Sequence, residues 1–120
     1  MNDMTDGSTK ILWEITPQKV EAAIKKIIAV SQPKKFILFG SYISGTINKN
    51  SDLDFLVITG DDIVNPRKES IRIRRSLKGI QMPIDILVVQ ESKMEKVAKV
   101  PGLIYREALN KGKVVYESIS

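Results

Sequence analysis

The sequence predicts an α/β (α+β) domain: one small mixed β-sheet flanked by helices. Three observations point there. Apolar residues recur at helical spacing in some segments and form short continuous runs in others, and the two kinds alternate along the chain. Gly, Pro, Asn and Asp punctuate the boundaries between them. The 120 residues leave no room for a second core, and no linker divides them.

Met1 to Lys10 is polar and predicts a flexible tail, so a single domain is expected over residues 11–120. Ile11 to Ile15, with Trp13, is an apolar lead-in. Thr16-Pro17 is a helix start, a capping hydroxyl followed by Pro at the first helical position. Val20, Ala23, Ile24, Ile27 and Ile28 then mark one face of an amphipathic helix over Pro17 to Val30. Lys35 to Phe39 is a short buried strand that stops at Gly40. Ser41 to Gly45 predicts one helical turn, and Thr46 to Ser51 a polar loop. Leu53 to Ile58 is the second strand. Asn65-Pro66 opens a helix to about Lys78, ended by Gly79, and Pro83 to Val89 is the third strand. From Ser92 the pattern is helical, broken at Pro101-Gly102, resumed from Leu103 and closed by Gly112. Val114 to Tyr116 is the last strand.

The chain contains no His and no Cys. That excludes zinc sites of the usual kind, thiol nucleophiles and a Ser-His-Asp arrangement. Acid–base and metal chemistry must then rest on carboxylates, Lys, Tyr or water, and hard oxygen ligands favour Mg²⁺ or Mn²⁺. The net charge of +5 fits an anionic ligand such as a nucleotide, a nucleic acid or an acidic protein, and equally a solvated basic surface. No apolar run approaches a membrane span and no signal-peptide core opens the chain, so a cytoplasmic protein with no membrane partner is expected.

Gly40-Ser41 sits at the end of an apolar strand. Glycine lets a phosphate approach the backbone, a following helical turn aims N–H groups at it, and the hydroxyl adds a donor; a plain turn would use the same residues. Asp52 and Asp54 bracket Leu53 at the start of a strand, where alternation sends both carboxylates to one face. Held that close they repel unless a cation neutralises them; the alternative puts both in the preceding loop as caps. Asp85 interrupts Ile84 to Val89, the most apolar strand of the chain. On a central strand an unpaired carboxylate costs several kcal/mol and needs a partner, whereas on an edge it can face water.

Gly40-Ser41-Tyr42-Ile43-Ser44-Gly45, then Ser51-Asp52-Leu53-Asp54-Phe55-Leu56-Val57, resembles the Gly-Ser…Asp-x-Asp signature of the DNA polymerase β-like nucleotidyltransferases, and Asp85 completes that pattern. The short chain and its ending, Ile104 to Ala108 and Gly112 to Glu117, are similar to the minimal nucleotidyltransferase (MNT) domains, including antitoxin-like ones. The resemblance implies that Asp52, Asp54 and Asp85 hold two Mg²⁺ ions (or Mn²⁺). Asp85 would also accept the proton of an attacking hydroxyl. Gly40 and Ser41 would bind the β/γ-phosphates of ATP or another nucleoside triphosphate. It implies transfer of a nucleoside monophosphate, AMP from ATP, to a hydroxyl, with a Tyr of a HEPN-type helical toxin as acceptor and this chain as antitoxin. Many members of the superfamily carry Arg shortly after the Gly-Ser, where this chain has Tyr42, Ile43 and Ser44.

Two other readings stand beside this one: a catalytically weak antitoxin that neutralises its partner by contact, and a nucleotidyltransferase of small molecules. The chain has little beyond the core, so a partner or a second copy (a homo-oligomer) is expected to complete the acceptor site. Arg67, Lys68, Arg72, Arg74, Arg75 and Lys78 make the second long helix basic, which suits a solvated face, a triphosphate or an acidic partner. No aromatics are interleaved with these charges, which argues against single-stranded nucleic acid. Tyr42, Tyr105 and Tyr116 read as packing residues, with Tyr42 also a candidate to stack on a base or be modified itself.

Overall fold

Thr16 and Asn65 start the two long helices in the same way. The Thr16 hydroxyl accepts from the Lys19 N–H at 3.2 Å, the Asn65 side chain accepts from the Lys68 N–H at 3.1 Å, and Pro follows each cap. The computed structural model describes residues 14–45 and 52–119. The predicted tail, most of the apolar lead-in and the polar loop at 46–51 lie outside the described residues.

The element order is α1 (Pro17–Ser31), β1 (Lys35–Phe39), α2 (Ser41–Ser44), β2 (Leu53–Thr59), α3 (Pro66–Ser76), β3 (Ile84–Gln90), α4 (Glu91–Val97), α5 (Ile104–Lys111) and β4 (Lys113–Glu117). Each falls within one or two residues of the expected segment. The strands form one sheet in the order β3-β2-β1-β4, with β1 antiparallel to both neighbours and β2 parallel to β3. The mixed sheet follows from connection length. The α3 crossover returns the chain to the same end of the sheet, so β2 and β3 run parallel.

Helices cover both faces. On one, α1 and α3 bury Ala23, Ile27 and Ile73 against Phe36, Leu38, Leu53, Phe55 and Val57. Phe36 and Phe55 meet edge to face at 5.3 Å, worth about 0.5–1.5 kcal/mol beyond their burial. On the other face, Ile37, Phe39, Leu56 and Ile58 pack with Met94 of α4 and Ala108 of α5. Burial on both faces explains why β1 and β2 read as unbroken apolar runs. Tyr42 and Tyr116 pack against the first cluster and Tyr105 against the second, which supports the packing reading of all three. Among the described residues no helix is long and apolar enough to cross a membrane.

Glu69 is the one carboxylate among the described residues, besides Asp54, that is buried. Ser31 Oγ donates to its Oε2 at 2.7 Å, and Arg72 donates through Nε and Nη2 at 2.9 and 2.8 Å. Arg72 Nη2 also reaches the Val30 carbonyl at 2.8 Å. The knot ties the start of α3 to the end of α1. It pairs the charge of Arg72, which stays exposed on the basic face with Arg67, Lys68, Arg74, Arg75 and Lys78.

Candidate active site

The predicted site residues converge where β1 ends and β2 and β3 begin. Asp54 and Asp85 are Cα partners in the parallel β2–β3 register, and Phe39 faces Asp54 from β1. Alternation puts Asp54 on the same face as Leu56 and Ile58, and Asp85 on the same face as Val89, under α4 and α5. Asp54 is only 9% exposed. Burial and the nearby charges of Asp52, Asp85 and Glu107 penalise its ionised form, and a hydrogen bond with Asp85 favours its proton. Together they raise its pKa to about 6.

Asp52 behaves differently. It lies just before the strand and is exposed. Its Oδ1 accepts from Ser41 Oγ at 2.7 Å and from the Ser41 N–H at 3.1 Å, while its own N–H donates back to Ser41 Oγ at 2.9 Å. These bonds hold its pKa below the ordinary carboxylate value. The Tyr42 N–H donates to the Asp52 carbonyl at 3.0 Å. The donors expected to bind phosphate hold the Asp52 carboxylate here.

Gly40 is required on two counts. Its φ of 102° lies where side chains are strained, and a Cβ there would stand 2.8 Å from Asp54 Oδ2. Gly40→Ala is expected to cost about 2 kcal/mol in urea denaturation, from backbone strain and the displaced Asp54.

Of the two readings of Asp85, central strand or edge, the edge one holds. The strand carrying Asp85 is an edge strand, not a central one, and Asp85 is exposed; the buried carboxylate is Asp54. The physical reason is that β3 takes only one neighbour, so its apolar run is covered by helices while its first residues face solvent. The charges of Asp52 and Asp85 both act on Asp54, but the three side chains do not stand in a ready-made ligand arrangement. Among the described residues no three acidic side chains are grouped to hold an ion, because Asp52 is turned onto Ser41 while Asp54 pairs with Asp85. The donor set still fits a hard divalent cation. It is all oxygen; burial first, and then the neighbouring charges of Asp52 and Asp85, raise the pKa of Asp54, and a cation would relieve the second of these.

A cleft of about 450 Å³ opens over these groups. Phe39, Gly40, Ser41, Asp52 and Asp54 form one wall, and Ile104, Glu107 and Lys111 of α5 form the other. The sequence reading assigned no role to Glu107 or Lys111. Their spacing of one helical turn is a signal, but only the packing of α5 beside β1 turns both toward the carboxylates.

The site combines a mixed sheet, paired carboxylates at its strand starts and a glycine–serine turn on one wall of an open cleft. The chain belongs to the polymerase beta nucleotidyltransferase family, whose model matches residues 22–119. It is also similar to a chain of a solved crystal structure of a toxin–antitoxin with AMP-PNP. That likeness has 23% identity and a TM-score of 0.50, over 82% of this chain and 74% of that one, and it is a likeness of fold. No curated protein matches the chain significantly.

Proposed function

We propose that this protein is a Mg²⁺-dependent nucleotidyltransferase that moves AMP from ATP onto a hydroxyl acceptor. The observation that carries the reading is the in-register pair Asp54 and Asp85 beside the anion-binding Gly40-Ser41 turn. Asp52, Asp54 and Asp85 would hold two divalent ions. When bound, such ions stabilise the attacking and leaving oxygens of an in-line displacement at the α-phosphate.

The chain's own residues have distinct tasks. Gly40 and Ser41 bind the β/γ-phosphates, and for Ser41 to donate to a phosphate the Asp52 carboxylate must leave it. Asp85, exposed at the open side, takes the proton of the acceptor hydroxyl. The new O–P bond forms as the bond from the α-phosphorus to the bridging oxygen breaks, and pyrophosphate leaves.

The acceptor proposed is a hydroxyl on a protein, with this chain in an antitoxin role toward a HEPN-type toxin. Exposed Ile104, which lines the cleft, and exposed Leu103 next to it in sequence support a protein over a small polar acceptor. The toxin–antitoxin structure with AMP-PNP supports the same direction.

Calorimetric titration of ATP, with and without Mg²⁺, into the wild type and Asp52→Asn tests the nucleotide site. Binding that needs Mg²⁺ and falls at least about tenfold in the variant is expected. Absence of binding to the wild type in both Mg²⁺ and Mn²⁺ would sink the enzymatic reading and favour neutralisation by contact.

A further inference from the structure

The cleft holds three carboxylates, Asp52, Asp54 and Glu107, against one cation, Lys111, among the described residues. A nucleoside triphosphate adds about four negative charges at neutral pH, so its outer phosphates need positive charge from the protein as well as from metal. The turn that would hold those phosphates cannot supply it: Ser41, Tyr42, Ile43 and Ser44 contain no basic side chain.

Lys111 is fitted for the task by its position. It is the last residue of α5, where a cation is favoured by the helix dipole. It forms no ion pair or hydrogen bond with another described side chain, although Glu107 lies one turn earlier on the same helix. Its backbone is anchored by the next residue. A Cβ on Gly112 would stand 2.5 Å from Ile37 Cγ2 and 2.9 Å from the Leu38 carbonyl, and would also strike the Ala108 carbonyl. Only glycine lets the end of α5 lie this close to β1, the strand that leads into Gly40 and Ser41. The ammonium therefore hangs from a fixed point beside the phosphate-binding turn, on a stem long enough to follow a flexible polyphosphate.

We propose that Lys111 is the residue that binds the β- and γ-phosphates of the nucleotide, opposite Ser41 across the cleft. The assignment rests on the nucleotidyltransferase reading above and adds to it a specific cation from the last helix. Lys111 selects for the length of the phosphate chain: it rewards a triphosphate and is indifferent to a monophosphate.

The test is calorimetric titration of ATP and of AMP, each with Mg²⁺, into the full-length wild type, Lys111→Met and Lys111→Arg. Lys111→Met is expected to weaken ATP about tenfold and to leave AMP unchanged, while Lys111→Arg stays within about threefold of the wild type for both. Lys111 is exposed, so the urea midpoint of either variant should match that of the wild type. Equal ATP affinity in Lys111→Met and the wild type would overturn this assignment and leave the nucleotide site standing. Equal loss for ATP and AMP would overturn it too, since that marks a general change in the cleft. A wild type that binds neither nucleotide would overturn the nucleotidyltransferase reading itself, and this assignment with it.

Discussion

Asp54→Asn is expected to make the metal-free protein more stable at pH 8 while removing its magnesium-dependent affinity for ATP. The two effects share one cause. Asp54 is buried beside Asp52, Asp85 and Glu107, and its pKa rises from 3.8 to about 6. A carboxyl whose folded pKa exceeds its unfolded one holds its proton more tightly in the native state. Its contribution to stability therefore falls as pH rises from about 4 to about 6, and the deficit is complete above that. A shift of this size is worth about 3 kcal/mol before solvent screening and on the order of 2 kcal/mol after it, which Asn recovers because it carries no charge. Urea denaturation in a chelator should show the variant ahead by that amount at pH 8 and level with the wild type near pH 4. The same substitution takes a charged oxygen from the proposed metal site. With Mg²⁺ present, ATP affinity should drop by about 10²-fold or more, at about 1.4 kcal/mol per tenfold. A variant that is less stable at pH 8, or that binds ATP as well as the wild type, would remove Asp54 from the centre of the site.

The largest loss of stability is expected at Glu69, far from any chemistry. Glu69→Ala leaves Ser31 Oγ and the Arg72 guanidinium without their acceptor and opens a void between α1 and α3. About 2–4 kcal/mol should be lost, read as a shift of the urea midpoint. The sign with pH is opposite to that of Asp54. The Arg72 and Ser31 hydrogen bonds lower the Glu69 pKa despite burial. The stabilisation is therefore present above the ordinary glutamate value and lost as pH falls through the lowered one. Glu69→Gln keeps the shape and gives up the charge, so its deficit should be smaller and should vanish toward acid. A Glu69→Gln deficit that grows as pH falls would refute the account.

The contrast between these two residues marks the boundary between local and tertiary information. Asp54 was legible because a strand-breaking residue inside Leu53 to Ile58 is a costly choice, and the Asp-x-Asp spacing near Gly40-Ser41 adds a chemical reason for it. Glu69 was not legible. It sits among six basic residues on an amphipathic helix, and periodicity alone reads it as one more solvated charge. Its burial follows from where α1 ends, 38 residues away along the chain, as the Ser31 hydrogen bond shows. Asp85 shows a subtler gap. An apolar run cannot say whether its strand has one neighbour or two, so the same letters fit a central strand and a covered edge.

Element types, their order and nearly all their boundaries were determined by the sequence itself, because caps, prolines, glycines and apolar period act within a few residues of where they stand. So were the candidate site residues, since a chain with no His and no Cys leaves carboxylates, Lys, Tyr and water for any acid–base or metal chemistry. Tertiary structure alone decided the charge state of Asp54, the turning of Asp52 onto Ser41, and the arrival of Glu107 and Lys111 at the cleft. Each of these depends on side chains brought together by strand register and by helix packing against the sheet. Electrostatic and hydrogen-bond energies act over a few ångströms of space whatever the separation along the chain.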